Sequence, residues 1–204
     1  HEGRYKYFAG IDRSNGSGKI GYFAGCMTTL TPSVQRSMEK IFEAVGDEVW
    51  YADKDGGVCC GRPLMLSGET DAARKMVVYN TDLFRRYEIT TLITSCPICL
   101  RVFKESYRLD GIEVLHHSQY IDRLIADGRL MLDASSEVFT YHDPCELGRG
   151  LGIYDEPRNI LTTLGSLREP WHNRDNALCC GSSLANTIID DQQQRRIAER
   201  MTAE

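Results

Sequence analysis

Residues 90–100, TTLITSCPICL, run a β-branched apolar stretch directly into a Cys-Pro-Ile-Cys corner. Leu92 and Ile93 between threonines suit a buried strand. Pro97 suits the first turn of a helix, where its missing N–H leaves no bond unmade. The stretch therefore reads as a strand that delivers Cys96 at its carboxyl end, followed by a helix that carries Cys99. Working outward, residues 20–26, IGYFAGC, repeat the strand-to-cysteine ending at Cys26, and residues 137–145, EVFTYHDPC, repeat it at Cys145.

The segments between these corners alternate in type. Thr31-Pro32 marks a helix start, and PSVQRSMEKIFEAVG (32–46) spaces its apolar residues helically, with Gly46 as the stop. DEVWYA (47–52) reads as a strand and DKDGGVCCGRP (53–63) as a glycine-rich loop. A long amphipathic helix, opened around Ser67, runs from Glu69 to Arg86. IEVLHH (112–117) reads as a strand, and SQYIDRLIADGRL (118–130) as a helix opened by Ser118. Further helices are predicted around Glu156–Leu164 and from Ser183 to Glu204. Strand–helix alternation predicts an α/β fold with parallel strands, in two related Rossmann-like half-repeats. A polar, Gly/Ser-rich tail or linker over 1–19 precedes the first repeat at 20–134; the second covers 135–204. In parallel sheets ligands lie beyond the carboxyl ends of strands, where Cys26, Cys96 and the loop after DEVWYA can meet.

The cysteines carry the chemistry. Cys26 is followed 33 positions later by Cys59-Cys60-Gly61, and Cys145 34 positions later by Cys179-Cys180-Gly181. Such a repeat points to two thiolate nests, most simply for iron and sulfide. A bridge between neighbouring cysteines would be strained, since adjacent Cα atoms lie about 3.8 Å apart and disulfides need roughly 4.4–6.8 Å. Zinc takes four ligands, and the first unit offers five cysteines; zinc in one of the two units stays an alternative. The first repeat places Cys96 36 positions after Cys60, and the same offset from Cys180 passes Glu204. The second repeat is thus expected to be incomplete at its C-terminus, lacking its Cys-x2-Cys.

Composition narrows the function classes. The 204 residues hold 24 Lys and Arg against 29 Asp and Glu, a net charge of −5. No basic stripe invites nucleic acid. No apolar run approaches the roughly 20 residues of a membrane helix, and no secretory signal pattern is present. A reducing, cytoplasmic setting is the expectation, with any membrane association through a partner subunit. No G-x-x-x-x-G-K-[ST] occurs, which argues against a phosphate-binding loop of that type. His142, next to Asp143 and Cys145, is a candidate proton donor to a leaving thiolate, set against a strand-end histidine that bonds backbone. His116-His117 are candidate ligands or a proton relay, set against a strand end with one ring buried and one exposed; His172 is weighed in the same way, and Arg62 is a candidate for steering an anionic substrate, set against a solvated arginine.

The order Cys26-x32-Cys59-Cys60-Gly61-x35-Cys96-Pro97-Ile98-Cys99, with the phrases TSCPICL and YHDPC, resembles the CCG domain. That domain occurs in the B-type and D-type polypeptides of heterodisulfide reductase, and in the iron–sulfur subunits of glycolate, lactate and anaerobic glycerol-3-phosphate dehydrogenases. The resemblance runs from about Ile20 to the end. It implies that Cys26, Cys59, Cys60, Cys96 and Cys99 bind a noncubane [4Fe-4S] cluster, and that Cys145, Cys179 and Cys180 supply part of a second site. It implies an iron–sulfur oxidoreductase subunit, coupling electron transfer to disulfide reduction of the heterodisulfide type. An electron relay within a flavin-dependent dehydrogenase and a structural zinc module are the alternatives. Other subunits of a redox complex, flavin-bearing or ferredoxin-like, are the expected partners.

Overall fold

The computed structural model describes residues 19–29, 31–181 and 189–203. Apart from Lys19, the predicted tail lies outside them, as do residues 183–188 and 204 of the helix predicted from Ser183. The chain divides into two units, one ending at Leu130 and the other beginning at Met131.

Among the described residues the first unit holds four strands: β1 (Ile20–Phe23), β2 (Val49–Tyr51), β3 (Thr91–Thr94) and β4 (Glu113–His116). They form one parallel sheet in the order β2-β1-β3-β4. The crossovers are helical. α1 (Pro32–Val45) links β1 to β2; α2 (Arg62–Leu66) and α3 (Thr70–Arg86) link β2 to β3; α4 (Pro97–Ser106) links β3 to β4, and α5 (His117–Ala126) follows. Strand order reverses between β1 and β3, so their carboxyl ends flank the switch point where such sheets bind ligands. Cys26 follows β1 and Cys96 follows β3.

Side chains alternate across β1, and the two faces gather different aromatics. Tyr22 meets Phe42 of α1, and Phe42 in turn meets Tyr120 of α5. Phe23 meets Phe84 of α3 and Phe103 of α4 edge-to-face, at 6.4 and 5.0 Å between centroids. Tyr22, Phe23, Phe42 and Phe84 are fully buried and Phe103 nearly so. Each such ring contributes roughly 1.5–3 kcal/mol of transfer free energy. The sheet therefore has its own apolar core, and the cysteines are not needed to staple it.

The start of α5 differs from the sequence expectation. Its N-cap is His116, not Ser118: the ring Nδ1 accepts from the Ser118 N–H while the Gln119 amide reaches back to the His116 N–H. An imidazole thus performs the task expected of a hydroxyl. α2 falls within the predicted glycine-rich loop and just beyond it, because five residues after a glycine are too few to carry a periodicity.

The second unit is built on a short parallel pair, β5 (Val138–Phe139) and β6 (Ser166–Leu167). α6 (Gly148–Leu151) and α7 (Asp155–Leu164) lie between them, and α8 (Asp191–Thr202) closes the chain with an Asp190–Gln193 capping box.

Candidate metal centre

None of the eight cysteines is joined in a disulfide. The five of the first unit come together. Cys26 is in thiol–thiol contact with Cys59, Cys59 with Cys60, Cys60 with Cys99, and Cys99 with Cys96. Three segments that lie far apart in sequence thus form one unbroken run of sulfur atoms at the switch point. The end of β1 is close enough that a methyl group on Gly25 would lie 3.1 Å from Cys99 Sγ. Cys60, Cys96 and Cys99 are buried; Cys26 and Cys59 are half-buried. Among the described residues no three His, Cys, Asp or Glu side chains are arranged around a single metal ion. The sulfurs follow one another in a chain of contacts instead.

The electrostatics are uneven along that run. Contact with the Cys99 thiol, and the Cys99 and Ile98 N–H groups at the start of α4, bring Cys96 down to about 7. A helix N-terminus aimed at sulfur is a standard way to favour thiolate. Cys60 is pushed up to about 12, first by its bond to Cys59 and then by burial, against the Arg62 N–H and the Cys99 thiol. Cys26 and Cys99 are also raised, each first through bonds to neighbouring thiols. The Cys96 thiolate is favoured; Cys26, Cys60 and Cys99 resist ionisation beside it.

The loop that carries Cys59 and Cys60 is held from behind. Asn80, fully buried on α3, accepts from the Val58 N–H at 3.0 Å, and its amide nitrogen lies 3.3 and 3.2 Å from the Val58 and Cys59 carbonyls. The same amide donates to Tyr107 Oη at 3.0 Å, and Tyr107 donates to the Cys60 carbonyl at 3.1 Å. Burial raises the Tyr107 hydroxyl well above its ordinary value, so it stays a donor. On the other side the buried Asp53 carboxylate accepts from the Ala24 N–H at 2.7 Å, two residues before Cys26. The Gly57 N–H donates to the Ala52 carbonyl and so does not face sulfur. Gly61 has φ +95° and Gly181 φ +74°, which explains why glycine closes each Cys-Cys pair.

Sequence reasoning alone misses Asn80 and Tyr107. The available signal is a polar residue on the stripe of α3 that buries Ala73 and Phe84. Tyr107→Phe is expected to lower the stability of the first unit by about 0.5–1.5 kcal/mol, and Asn80→Ala by about 1–3 kcal/mol because it strands several buried groups. Urea unfolding of both variants measures this.

In the second unit Cys145, Cys179 and Cys180 are near enough to influence one another, and Cys145 is raised by burial and then by Cys179. Three ties bring their segments together. His142 Nε2 lies 2.8 Å from the Leu178 carbonyl. Arg149 donates to the Asp175 and Ala177 carbonyls at 2.9 and 2.7 Å. The Arg174 N–H donates to Asp143 at 2.6 Å. Asp143 is therefore an anchor rather than only a turn former. The His116 and His117 rings lie 4.1 Å apart between centroids, tilted by 36°; burial lowers them to about 2 and 4, which favours the neutral imidazoles. His172 is half-buried beside the exposed Trp171, and Arg62 opens α2. No helix among the described residues is long and apolar enough to cross a membrane.

Comparison with known proteins fits this geometry. The CCG family, described as a cysteine-rich domain, matches residues 20–104 and 139–204. A polypeptide of the fumarate reductase (CoM/CoB) of Methanothermobacter marburgensis is 34% identical over 171 residues, covering 82% of this chain and 34% of that protein. A polypeptide of the dihydromethanophenazine:CoB–CoM heterodisulfide reductase of Methanosarcina acetivorans is 28% identical over 182 residues, covering 80% and 42%. An uncharacterized iron–sulfur protein of Methanococcus maripaludis is 27% identical over 151 residues, covering 74% and 30%. The chain thus spans about a third of the length of these relatives. No solved structure gives a significant match.

Proposed function

The chain belongs to the CCG cysteine-rich domain family, and from that premise we propose that its first unit holds an iron–sulfur cluster and passes electrons as an oxidoreductase subunit. The observation that carries this reading is the run of thiol contacts from Cys26 through Cys59, Cys60 and Cys99 to Cys96. Thiols packed this closely cannot all ionise against their own repulsion. A polycationic core removes that cost and takes thiolates as ligands, and five donors in a row suit several metals better than one.

When bound, such a cluster, in this reading a noncubane [4Fe-4S], supplies one-electron transfer at a potential set by burial and hydrogen bonds to sulfur. The chain's own part is to hold it. The five cysteines are the ligands, the Arg62, Ile98 and Cys99 N–H groups face sulfur, and Asn80 and Tyr107 fix the vicinal pair. Cys145, Cys179 and Cys180 contribute part of a second site. The reaction we propose is heterodisulfide-type reduction in a reducing, cytoplasmic complex. Two electrons from a flavin-bearing or ferredoxin-like subunit and two protons convert one disulfide into two thiols. His142 is the proposed proton donor. A carbonyl only accepts, so Nε2 carries the hydrogen bonded to Leu178, and His142 can deliver a proton from Nδ1 only in its cationic form. The heterodisulfide reductase relative favours this chemistry over a relay alone.

Protein purified without oxygen is expected to contain iron and acid-labile sulfide in comparable amounts, and to release thiol from a mixed disulfide when supplied with reduced viologen. About one zinc per chain and no sulfide would replace this reading with a structural zinc module. Iron and sulfide without thiol release would leave electron relay as the function.

A further inference from the structure

The outer side of α3 and the end of α4 enclose a groove of about 500 Å³. Val77 and Val78 stand in it, Val78 53% exposed, and Arg74, Arg85 and Arg108 line it. Asp82 is the single carboxylate among the described residues of the lining. Arg74 is paired with Asp71 at 3.2 Å, both highly exposed, an arrangement that screens easily. In a chain of net charge −5 this is a local concentration of positive charge around an apolar centre. An apolar centre with a charged margin is the anatomy of a protein interface, and small interfaces of that kind suit transient electron-transfer encounters.

The position of the groove gives it a use. Val77 and Thr81 flank Asn80 on α3, and Ser106 and Arg108 flank Tyr107; all four line the groove. Asn80 and Tyr107 bond the Cys59 and Cys60 carbonyls directly. A protein seated here touches sequence neighbours of the two residues that bond the vicinal cysteines' carbonyls. Electron transfer between proteins falls off steeply with distance, so the approach to a buried centre must be short.

We propose that this groove docks an acidic one-electron carrier protein, which exchanges electrons with the centre across the Asn80–Tyr107 layer. The inference rests on the redox reading above and adds the surface through which it operates. The carrier loses one electron and the centre gains it, or the reverse. Positive charge on this side steers an acidic carrier and turns away a basic one.

The test uses a strongly acidic [2Fe–2S] ferredoxin as the probe. Binding of the oxidised probe to the full chain is measured by calorimetry, and reduction of the loaded protein by the reduced probe is followed by stopped flow. Arg85→Glu/Arg108→Glu is expected to weaken binding and slow reduction at least about tenfold at low ionic strength, and to flatten the salt dependence of both. Iron content and the rate with cationic reduced methyl viologen stay at wild-type levels. Arg36→Glu, an exposed charge reversal on α1 across the sheet, serves as the control and leaves the probe's affinity within about twofold. Wild-type affinity and rate in the double variant overturn the surface while leaving the redox reading intact, as does an equal loss in Arg36→Glu. A chain that takes up no iron and sulfide overturns the redox reading instead.

Discussion

Cys60→Ser is expected to lower iron and sulfide content at least about tenfold, the largest loss from any single cysteine change in the first unit. Cys60 is 3% exposed and stands in the middle of the sulfur run, touching Cys59 on one side and Cys99 on the other. Its N–H donor from Arg62 and the Tyr107 bond to its carbonyl fix both its sulfur and its backbone. Serine keeps the loop but offers a hard hydroxyl that does not ionise near neutral pH and is a poor partner for iron. Cys26→Ser, at the half-buried end of the run, is expected to lose less. Cys179→Ser, on an exposed residue of the other unit, is expected to leave the first unit's content unchanged. Metal and sulfide analysis of the three variants, with far-ultraviolet circular dichroism to show retained folding, decides the order. Wild-type content in Cys60→Ser would remove the vicinal pair from the ligand set.

The order of these effects is partly legible in the sequence, because thiol spacing survives as a pattern even when its partners are distant. Strands β1 to β4 are legible for a related reason: each is a short apolar run bounded by turn residues, and each is largely buried. The second unit is harder to read. The residues of EVFTYHDPC resemble a full strand, yet β5 keeps only Val138 and Phe139, and Val138 is 55% exposed, with β6 its one neighbouring strand among the described residues. The polar supports are harder still. Asn80 and Arg158 sit in helices whose sequences are rich in polar residues, where such a side chain normally faces water. Only the fold turns Asn80 toward the Cys59 carbonyl or Arg158 toward Asp143. His142 and Asp143 stand out because they precede Cys145, but their partners, Leu178, Arg158 and the Arg174 N–H, lie 15 to 36 residues away.

Arg158→Met is expected to destabilise the second unit by about 3–5 kcal/mol, because it leaves a buried carboxylate without its cation. The Arg158 side chain is 7% exposed and that of Asp143 2%. The guanidinium meets both Asp143 oxygens at 2.7 Å, both Glu169 oxygens at 2.6 and 2.9 Å, and the Tyr154 carbonyl at 2.7 Å. Burial pushes the Asp143 carboxyl up, but the Arg158 bonds and the Arg174 N–H outweigh it and hold it below the usual carboxylate range. A depressed carboxyl stabilises the fold above its unfolded value of about 4, and that contribution is lost as pH falls through the lower folded value. Amide hydrogen exchange over residues 138–178 is the measurement, since it reports this unit alone. Wild-type protection should weaken below about pH 4, and Asp143→Asn should remove that part of the pH dependence. Asp143→Asn/Arg158→Met should recover much of the loss in Arg158→Met, because no unpaired charge stays buried and the asparagine oxygen still accepts from Arg174. Equal losses in the single and double variants would show that Arg158 acts through packing, and the charge clamp ahead of Cys145 would then have no part in holding its segment to Cys179 and Cys180.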